Sequence, residues 1–584
     1  MRKQVSGKEN RSAAWGKRIS ICILMLATSF AFGQSSKLSK DLQGLPAGTP
    51  AKVIVQYYNA PTTTDSNAAK TAGATNGKAL GRFKGVGYTM NPGQAAKLLN
   101  LDSNVKYISV DRALSKMMTG NNVPYVSVNA NLASSMGYDG TGVGVAVIDS
   151  GINAVADLGV PNSKNSRITY SQNFADDSGT SDLYGHGTHV AGIIASNGTS
   201  SSCGNCTTTF SGIAPNASII NLRVLDSSGT ATDSVVIAAI QQAIALQSQY
   251  NIRVINLSLG RGIFESYALD PLDQAVEQAW NAGIVVVVAA GNYGRDNSSG
   301  NSGYGTITAP GNDPHVITVG AMRDMGTYST ADDLIATYSS KGPTLDDQVV
   351  KPDLVAPGNL VVSDLASTSD NLYSLYPQNL LPVTTYVASN SSNISSTYYL
   401  LSGTSMAAPM VSGAAALLIQ QNPAMTPDQV KARLMLTANK TTFPASSSWT
   451  DPSSGITYNE QYDIFTVGAG YLDVYAALNS TAMAPTNVGA ALSPTARYDS
   501  TSNTVYLVNG SSVVWGSSVV WGASVVWGSS LVWGANTSGQ SVVWGSSVCW
   551  GTSTSSAFSV VWGSSVVWGA SNTQAMAIAI RGDK

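Results

Sequence analysis

"VGVAVID", Val143–Asp149, is an apolar run with no charge before its terminal carboxylate. Such a run marks a strand buried on both faces, not one with a wet side. Working outward, "HGTHVAGIIAS" predicts a helix opening at His186. "ASIINLRVL" and "IRVINLSLG" read as further buried strands, separated by a helix over Thr232 to Tyr250. Asp270 as N-cap and Pro271 at the first helical position start another helix, which runs to Gly283. "IVVVVAAGN" and "HVITVGAM" follow as strands. This alternation predicts an α/β fold: a doubly wound, mostly parallel sheet with helices on both faces, whose sites lie at the carboxyl ends of strands. Asp149 and Asn292 fall at such ends.

A second stretch bears on chemistry. In "LSGTSMAAPM", Leu401–Met410, Ser405 sits between a Gly-Thr turn and an apolar helix. Met406, Met410, Val411, Ala414, Leu417 and Leu418 recur at helical spacing, and Asn422-Pro423 ends the run. Pro409 is read as a first-turn proline, whose missing N–H costs nothing there. Ser405 then lies where free backbone N–H groups and the helix dipole favour negative charge. Alone, this stretch reads more often as an ordinary helix cap than as a catalytic serine.

Acyl transfer by serine needs a base, an orienting acid and oxyanion donors. Only three histidines exist: His186, His189 and His315. His186, between glycines in "YGHGTHVAG", is read as the base, and His189 as a buried structural histidine. The pair lacks the third ligand that a metal site requires. Asp149 is positioned to accept from the imidazole, with Asp182 its nearest rival. The Asn292 amide can donate to an oxyanion together with the Ser405 N–H.

The blocks "VAVIDSGI", "GHGTHVAG", "INLSLG", "AAGNYG", "KPDLVAPG" and "GTSMAAPMVSGAAALL" resemble those of the subtilisin-like serine proteases, in the order Asp, His, Ser, over about residues 125–478. The resemblance implies a serine endopeptidase acting on protein or peptide substrates through an acyl-enzyme. Asp149, His186 and Ser405 would be catalytic, and Asn292 an oxyanion donor. Ser258, Leu259 and Gly260 would bind substrate as an added strand, with Ser228, Gly229 and Thr230 on its other side. Chemistry would require no cofactor. Many members bind calcium in the loop after the histidine helix, but Ser196–Ser211 contains no carboxylate, so calcium is not supported there. Cys203 and Cys206 in that loop are a disulfide candidate.

Other regions frame this domain. Arg2, Lys3, Arg11, Lys17 and Arg18 precede an apolar run to Phe32, predicting a signal peptide over residues 1–33 and export to a secreted or cell-surface location. Residues 34–118 read as a small α+β module that resembles the family's self-cleaved propeptide. The peptidase domain is expected over 119–480, with an irregular insertion from Asn359 to Tyr399. No later stretch is long enough to span a membrane. A formal net charge of -2 gives no basic excess for nucleic acid.

Residues 481–584 form an extension of different composition. No charged residue occurs between Asp499 and Arg581, and "SSVVWG" recurs eight times in strict or degenerate form. Helix is disfavoured by the Gly and the β-branched pair in each unit. Residues 500–580 are therefore expected to be β-type or irregular, and to serve surface attachment or self-association. On that basis a structural or adhesive surface protein is the competing reading. Arg581-Gly582-Asp583 is read as coincidence.

Overall fold

The computed structural model describes residues 37–583 except 44, 47, 80–83, 111–122, 161–164, 299, 389–393, 453, 500–503, 509–541, 544–565 and 568–579. The expected signal peptide, the joint at residues 117–120 and every repeat tryptophan lie wholly or largely outside the described residues. The chain divides into two units, one of residues 1–117 with 450–457 and one of the remainder.

In the smaller unit, strands β1 (Ala51–Tyr57), β2 (Thr75–Ala79), β3 (Gly85–Met90) and β4 (Val105–Val110) form one sheet in the order β2-β3-β1-β4. All pairings are antiparallel. Helices Thr63–Ala72 and Pro92–Leu101 accompany it, the second opened by a capping box between Asn91 and Gln94. Val53, Val55, Ala95, Leu98, Val105 and Ile108 make its core.

The larger unit is built on β5 (Gly144–Asp149), β6 (Ile168–Asn173), β7 (Ser218–Arg223), β8 (Thr230–Ala231), β9 (Ile252–Leu257), β10 (Val285–Ala289), β11 (Ile317–Arg323), β12 (Leu334–Ile335) and β13 (Leu354–Pro357). The main sheet runs β12-β11-β10-β9-β5-β7-β6, with β13 also on β11, and β8 lies outside it. Every pairing in this sheet is parallel except β11 with β12. The chain fills one side of β5 with β6 and β7, then reverses to add β9, β10 and β11 on the other. That reversal puts the topological switch between β5 and β9, and crevices form at the carboxyl ends there. All residues of β5 and β10 are buried, which accounts for their unbroken apolar sequence.

Three expectations change, and one region adds contacts that its composition did not suggest. Thr232–Tyr250 is two helices, Asp233–Ala245 and Gln247–Tyr250. Asn359–Tyr399 is largely regular: β14 (Val361–Asp364), β15 (Leu380–Pro382) and β16 (Ile394–Leu401) form an antiparallel sheet in the order β14-β16-β15. Residues after 480 still pack on the peptidase unit. Ala490, Ala491 and Ala496 are buried, Ser493 Oγ donates to Asp353 Oδ1 at 2.6 Å, and Thr495–Asp499 pairs with Thr504–Val508. Finally, the serine helix spans Thr404–Gln421, so Pro409 lies in its second turn, not its first.

Candidate active site

Three strand ends and two helix starts supply the site. Asp149 ends β5, and His186 opens the helix His186–Ala195. His186 Nδ1 lies 2.7 Å from Asp149 Oδ1, with the two residues 0% and 1% exposed. Asp149 Oδ1 also accepts from the Ser150 N–H at 2.7 Å. Because the carboxylate faces Nδ1, it holds the proton there and leaves Nε2 as the basic nitrogen.

Asp182 has a different task from Asp149. Its oxygens accept from the Gly185 N–H at 2.7 Å, the Thr188 N–H at 2.8 Å and Ser150 Oγ at 2.8 Å. It thus caps the histidine helix, satisfying donors that have no intrahelical partner. Burial pushes its carboxyl pKa up, against the hydrogen bonds from Thr188 and Gly185. Gly185 turns the chain at φ 103°, and a Cβ there would lie 2.7 Å from Asp370 Oδ1. His189 is buried, and its Nε2–H donates to Val361 O at 3.2 Å and Tyr399 O at 3.1 Å. Burial, then the nearby His186 ring, lower its pKa to about 3, so it is neutral at ordinary pH.

The serine side is assembled from neutral groups. Gly403, at φ 150°, makes a turn that L side chains rarely adopt, and Ser405 follows in the first helical turn. Ser405 Oγ donates to Ser258 O at 3.1 Å, while Ser258 Oγ donates to Ser405 O at 2.9 Å. The displaced proline explains the second bond. Pro409 has no N–H to give the carbonyl four residues earlier, so Ser405 O is open to the Ser258 hydroxyl. Asn256 Nδ2 donates to Ser258 Oγ at 2.9 Å, and Ser412 Oγ donates to Asn256 Oδ1 at 2.8 Å. A buried polar chain therefore runs from the serine helix to the end of β9 and back.

Asn292 follows β10. Its Oδ1 accepts from the Thr404 N–H at 2.9 Å and Thr404 Oγ1 at 3.1 Å. With the oxygen end tied by two donors, Nδ2 must face the other way. Thr404 Oγ1 also accepts from the Gly291 N–H at 3.1 Å.

Such an arrangement can activate a hydroxyl and stabilise an oxyanion. The subtilase family model, Peptidase_S8, matches residues 140–470. The chain belongs to the subtilase family. Serine protease AprX of Bacillus subtilis (strain 168) is 36% identical over 355 residues, which are 59% of this chain and 72% of that protein. Subtilisin DY of Bacillus licheniformis is 36% identical over 319 residues, covering 54% and 91% respectively. Subtilisin E of Bacillus subtilis (strain 168) is 33% identical over 429 residues, covering 72% and 94%. The protein is a serine endopeptidase, and subtilases need no cofactor for catalysis.

The remaining residues named from sequence take these places in the subtilase. Ser258, Leu259 and Gly260 leave β9, and Arg261 pairs with Ala309 beyond them. Ser228, Gly229 and Thr230 form a turn around Asp226, whose oxygens accept from the Ser228 N–H, the Thr230 N–H and both hydroxyls at 2.7 to 3.0 Å. Thr230–Ala231 pairs antiparallel with Val566–Val567. Cys203 and Cys206 are disulfide-bonded.

The carboxylate that meets the 196–211 loop is Asp157. It accepts from Tyr398 OH at 2.6 Å, the Ser200 N–H at 2.6 Å and Ser196 Oγ at 3.2 Å. Arg167 Nη2 donates to Asp157 O and Ala195 O, both at 2.6 Å. Both carboxylate oxygens of Asp157 are thus met by protein donors. Among the described residues, no helix is long and apolar enough to cross a membrane.

Sequence reasoning missed the Thr404 clamp, the Asp182 cap and the double tie through Ser258. An acid just before a helix start was the one available signal, and it fits Asp182. The other two depend on groups more than a hundred residues away.

Proposed function

We propose that Ser405 is the nucleophile, His186 the general base and acid, Asp149 the orienting acid, and Asn292 with the Ser405 N–H the oxyanion donors. The observation that carries this reading is the buried 2.7 Å contact between His186 Nδ1 and Asp149 Oδ1. His186 Nε2 takes the proton as Ser405 Oγ adds to the scissile carbonyl. The resulting oxyanion meets Asn292 Nδ2 and the Ser405 N–H. His186 then gives its proton to the leaving amine, and a water repeats the sequence to free the acid product and restore Ser405. Backbone of Ser258–Gly260 on one side and Ser228–Thr230 on the other holds the peptide as an added strand.

The protein is further proposed to be made for export with a signal peptide over residues 1–33, as a zymogen whose residues 34–118 are removed by the enzyme itself. The uncharged repeats are proposed to mediate surface attachment or self-association. Fluorophosphonate labelling of the chain and of Ser405→Ala tests the central assignment. Loss of both labelling and propeptide release in the variant is expected; labelling that survives overturns it. Retention on cells that is unchanged after deletion of residues 509–579 overturns the attachment role.

A further inference from the structure

Arg581-Gly582-Asp583 follows the repeats and, as sequence, has no evident task. In the structure Asp583 is 1% exposed and Ile580 is 2% exposed, the latter within the main core. Burying a carboxylate is costly unless it is paired and hydrogen-bonded, and Asp583 meets a complete set of partners. Arg295 Nη2 lies 2.5 Å from its Oδ1, the Thr337 N–H donates to Oδ2 at 2.7 Å, and Thr337 Oγ1 donates to Oδ1 at 2.9 Å. Arg295 is itself held, its Nε–H donating to Thr337 Oγ1 at 2.8 Å and its guanidinium lying 5.1 Å from the ring centres of both Trp449 and Tyr458.

The same pocket reads main chain. The Asp583 N–H donates to Asn359 Oδ1 at 2.8 Å, and Asn359 Nδ2 donates to Asp583 O at 3.4 Å. Asn379 Nδ2 donates to Ile580 O at 2.9 Å. Gly582 is required by space and by conformation: φ is 54°, and an added Cβ would run into Asn359 Oδ1 and Ser402 Oγ. A side-chain carboxylate, an adjacent glycine and three backbone groups are thus recognised together.

This pocket adjoins the chemistry along the chain. Arg295 is three residues after Asn292, and Ser402 is three before Ser405. Gly403, between Ser402 and Thr404, lies against Asn292, where a Cβ would sit 3.1 Å from its Nδ2. We propose that Arg295, Thr337, Asn359 and Ser402 form a peptide-binding site specific for a Gly-Asp pair, filled in this chain by Gly582-Asp583, and that the filled site positions the oxyanion and nucleophile loops. The positioning role rests on the functions proposed above for Asn292 and Ser405. While docked, Gly582 and Asp583 are buried and Arg581 stays exposed.

The test is Asp583→Asn in the full chain, with kinetics normalised to fluorophosphonate-titrated sites. A roughly tenfold fall in kcat with KM changed less than twofold is expected, together with recovery on adding millimolar acetyl-Ile-Arg-Gly-Asp-Lys. No recovery is expected with the Asp-to-Glu peptide. Unchanged kcat, or a loss that neither peptide reverses, overturns the proposal. If the variant does not fold, Arg295→Lys is read in the same assay, where unchanged kcat overturns it equally. A parent chain that takes no fluorophosphonate at Ser405 would instead refute the nucleophile assignment, so the two failures are distinguishable.

Discussion

The two helix starts that meet at the site are held by opposite kinds of chemistry. Around His186 the supports are acids: Asp149 on the ring, Asp182 on the helix N–H groups, and Asp370 beneath Gly185. Around Ser405 they are neutral: the Thr404 hydroxyl, the Asn292 amide, and the Ser258, Asn256 and Ser412 chain. The difference follows from the charges that the proposed reaction creates. An imidazolium is stabilised by nearby negative charge, whereas an oxyanion is stabilised by donors and harmed by any anion at hand. One protein must therefore keep carboxylates on one wall of the crevice and exclude them from the other.

Breaking the acid wall has the largest expected effect. Asp149→Asn keeps the shape but admits the wrong tautomer, and kcat on a chromogenic peptide should fall about ten-thousandfold, measured after processing by added parent enzyme. Breaking the neutral wall comes next. Asn292→Ala should cost about a hundred- to a thousandfold in kcat with little change in KM, as is known for the oxyanion amide of subtilisin. Asn292→Asp should cost more than Asn292→Ala, since it puts an anion where the oxyanion forms. Equal losses for the two would refute the division between the walls.

A smaller effect sharpens the neutral side. Thr404→Val removes the hydroxyl bonded to Asn292 Oδ1 and the Gly291 N–H. An unsatisfied buried group costs about 1–3 kcal/mol, so roughly a tenfold loss of kcat is expected, with Thr404→Ser restoring it. The last effect concerns stability. His189 must stay neutral one turn below His186, and its folded pKa lies at about 3 against an ordinary 6.5. The unfolded chain then binds more protons, so this contribution is present above pH 6.5 and is lost as pH falls toward 3, by about 1.4 kcal/mol per pH unit at most. Thermal melts of Ser405→Ala between these pH values should show that slope, and the further change His189→Gln should flatten it.

Elements whose signals are local were legible from residues alone. Buried parallel strands announce themselves as unbroken apolar runs, as in Val285–Ala289. The Asp270 cap with Pro271, and the Thr426 to Gln429 capping box, likewise appear where the local pattern puts them. Asp149, His186 and Ser405 also stand at the strand end and helix starts where the local pattern puts them. What escaped depends on distant partners. The sheet within Asn359–Tyr399 needs β14 and β15 to meet on β16, and short antiparallel strands carry no pattern that specifies such pairing. The contacts made by residues past 480 escaped for a related reason. Lys431 Nζ reaches Ser493 Oγ at 2.9 Å and Asp428 Oδ1 accepts from the Ala491 N–H at 2.7 Å, links invisible in local composition.

Sequence by itself determined the α/β class, the mostly parallel sheet and the residues available for acyl transfer, because periodicity, capping and residue chemistry are local properties. Tertiary structure alone decided how Ser405 is held and where Asp583 goes. Pro409 frees a carbonyl that the Ser258 hydroxyl at the end of β9 meets, and the buried Asp583 is met by Arg295, Thr337 and Asn359, each more than two hundred residues earlier. Hydrogen bonds between groups so far apart in the chain exist only after the core has brought them together.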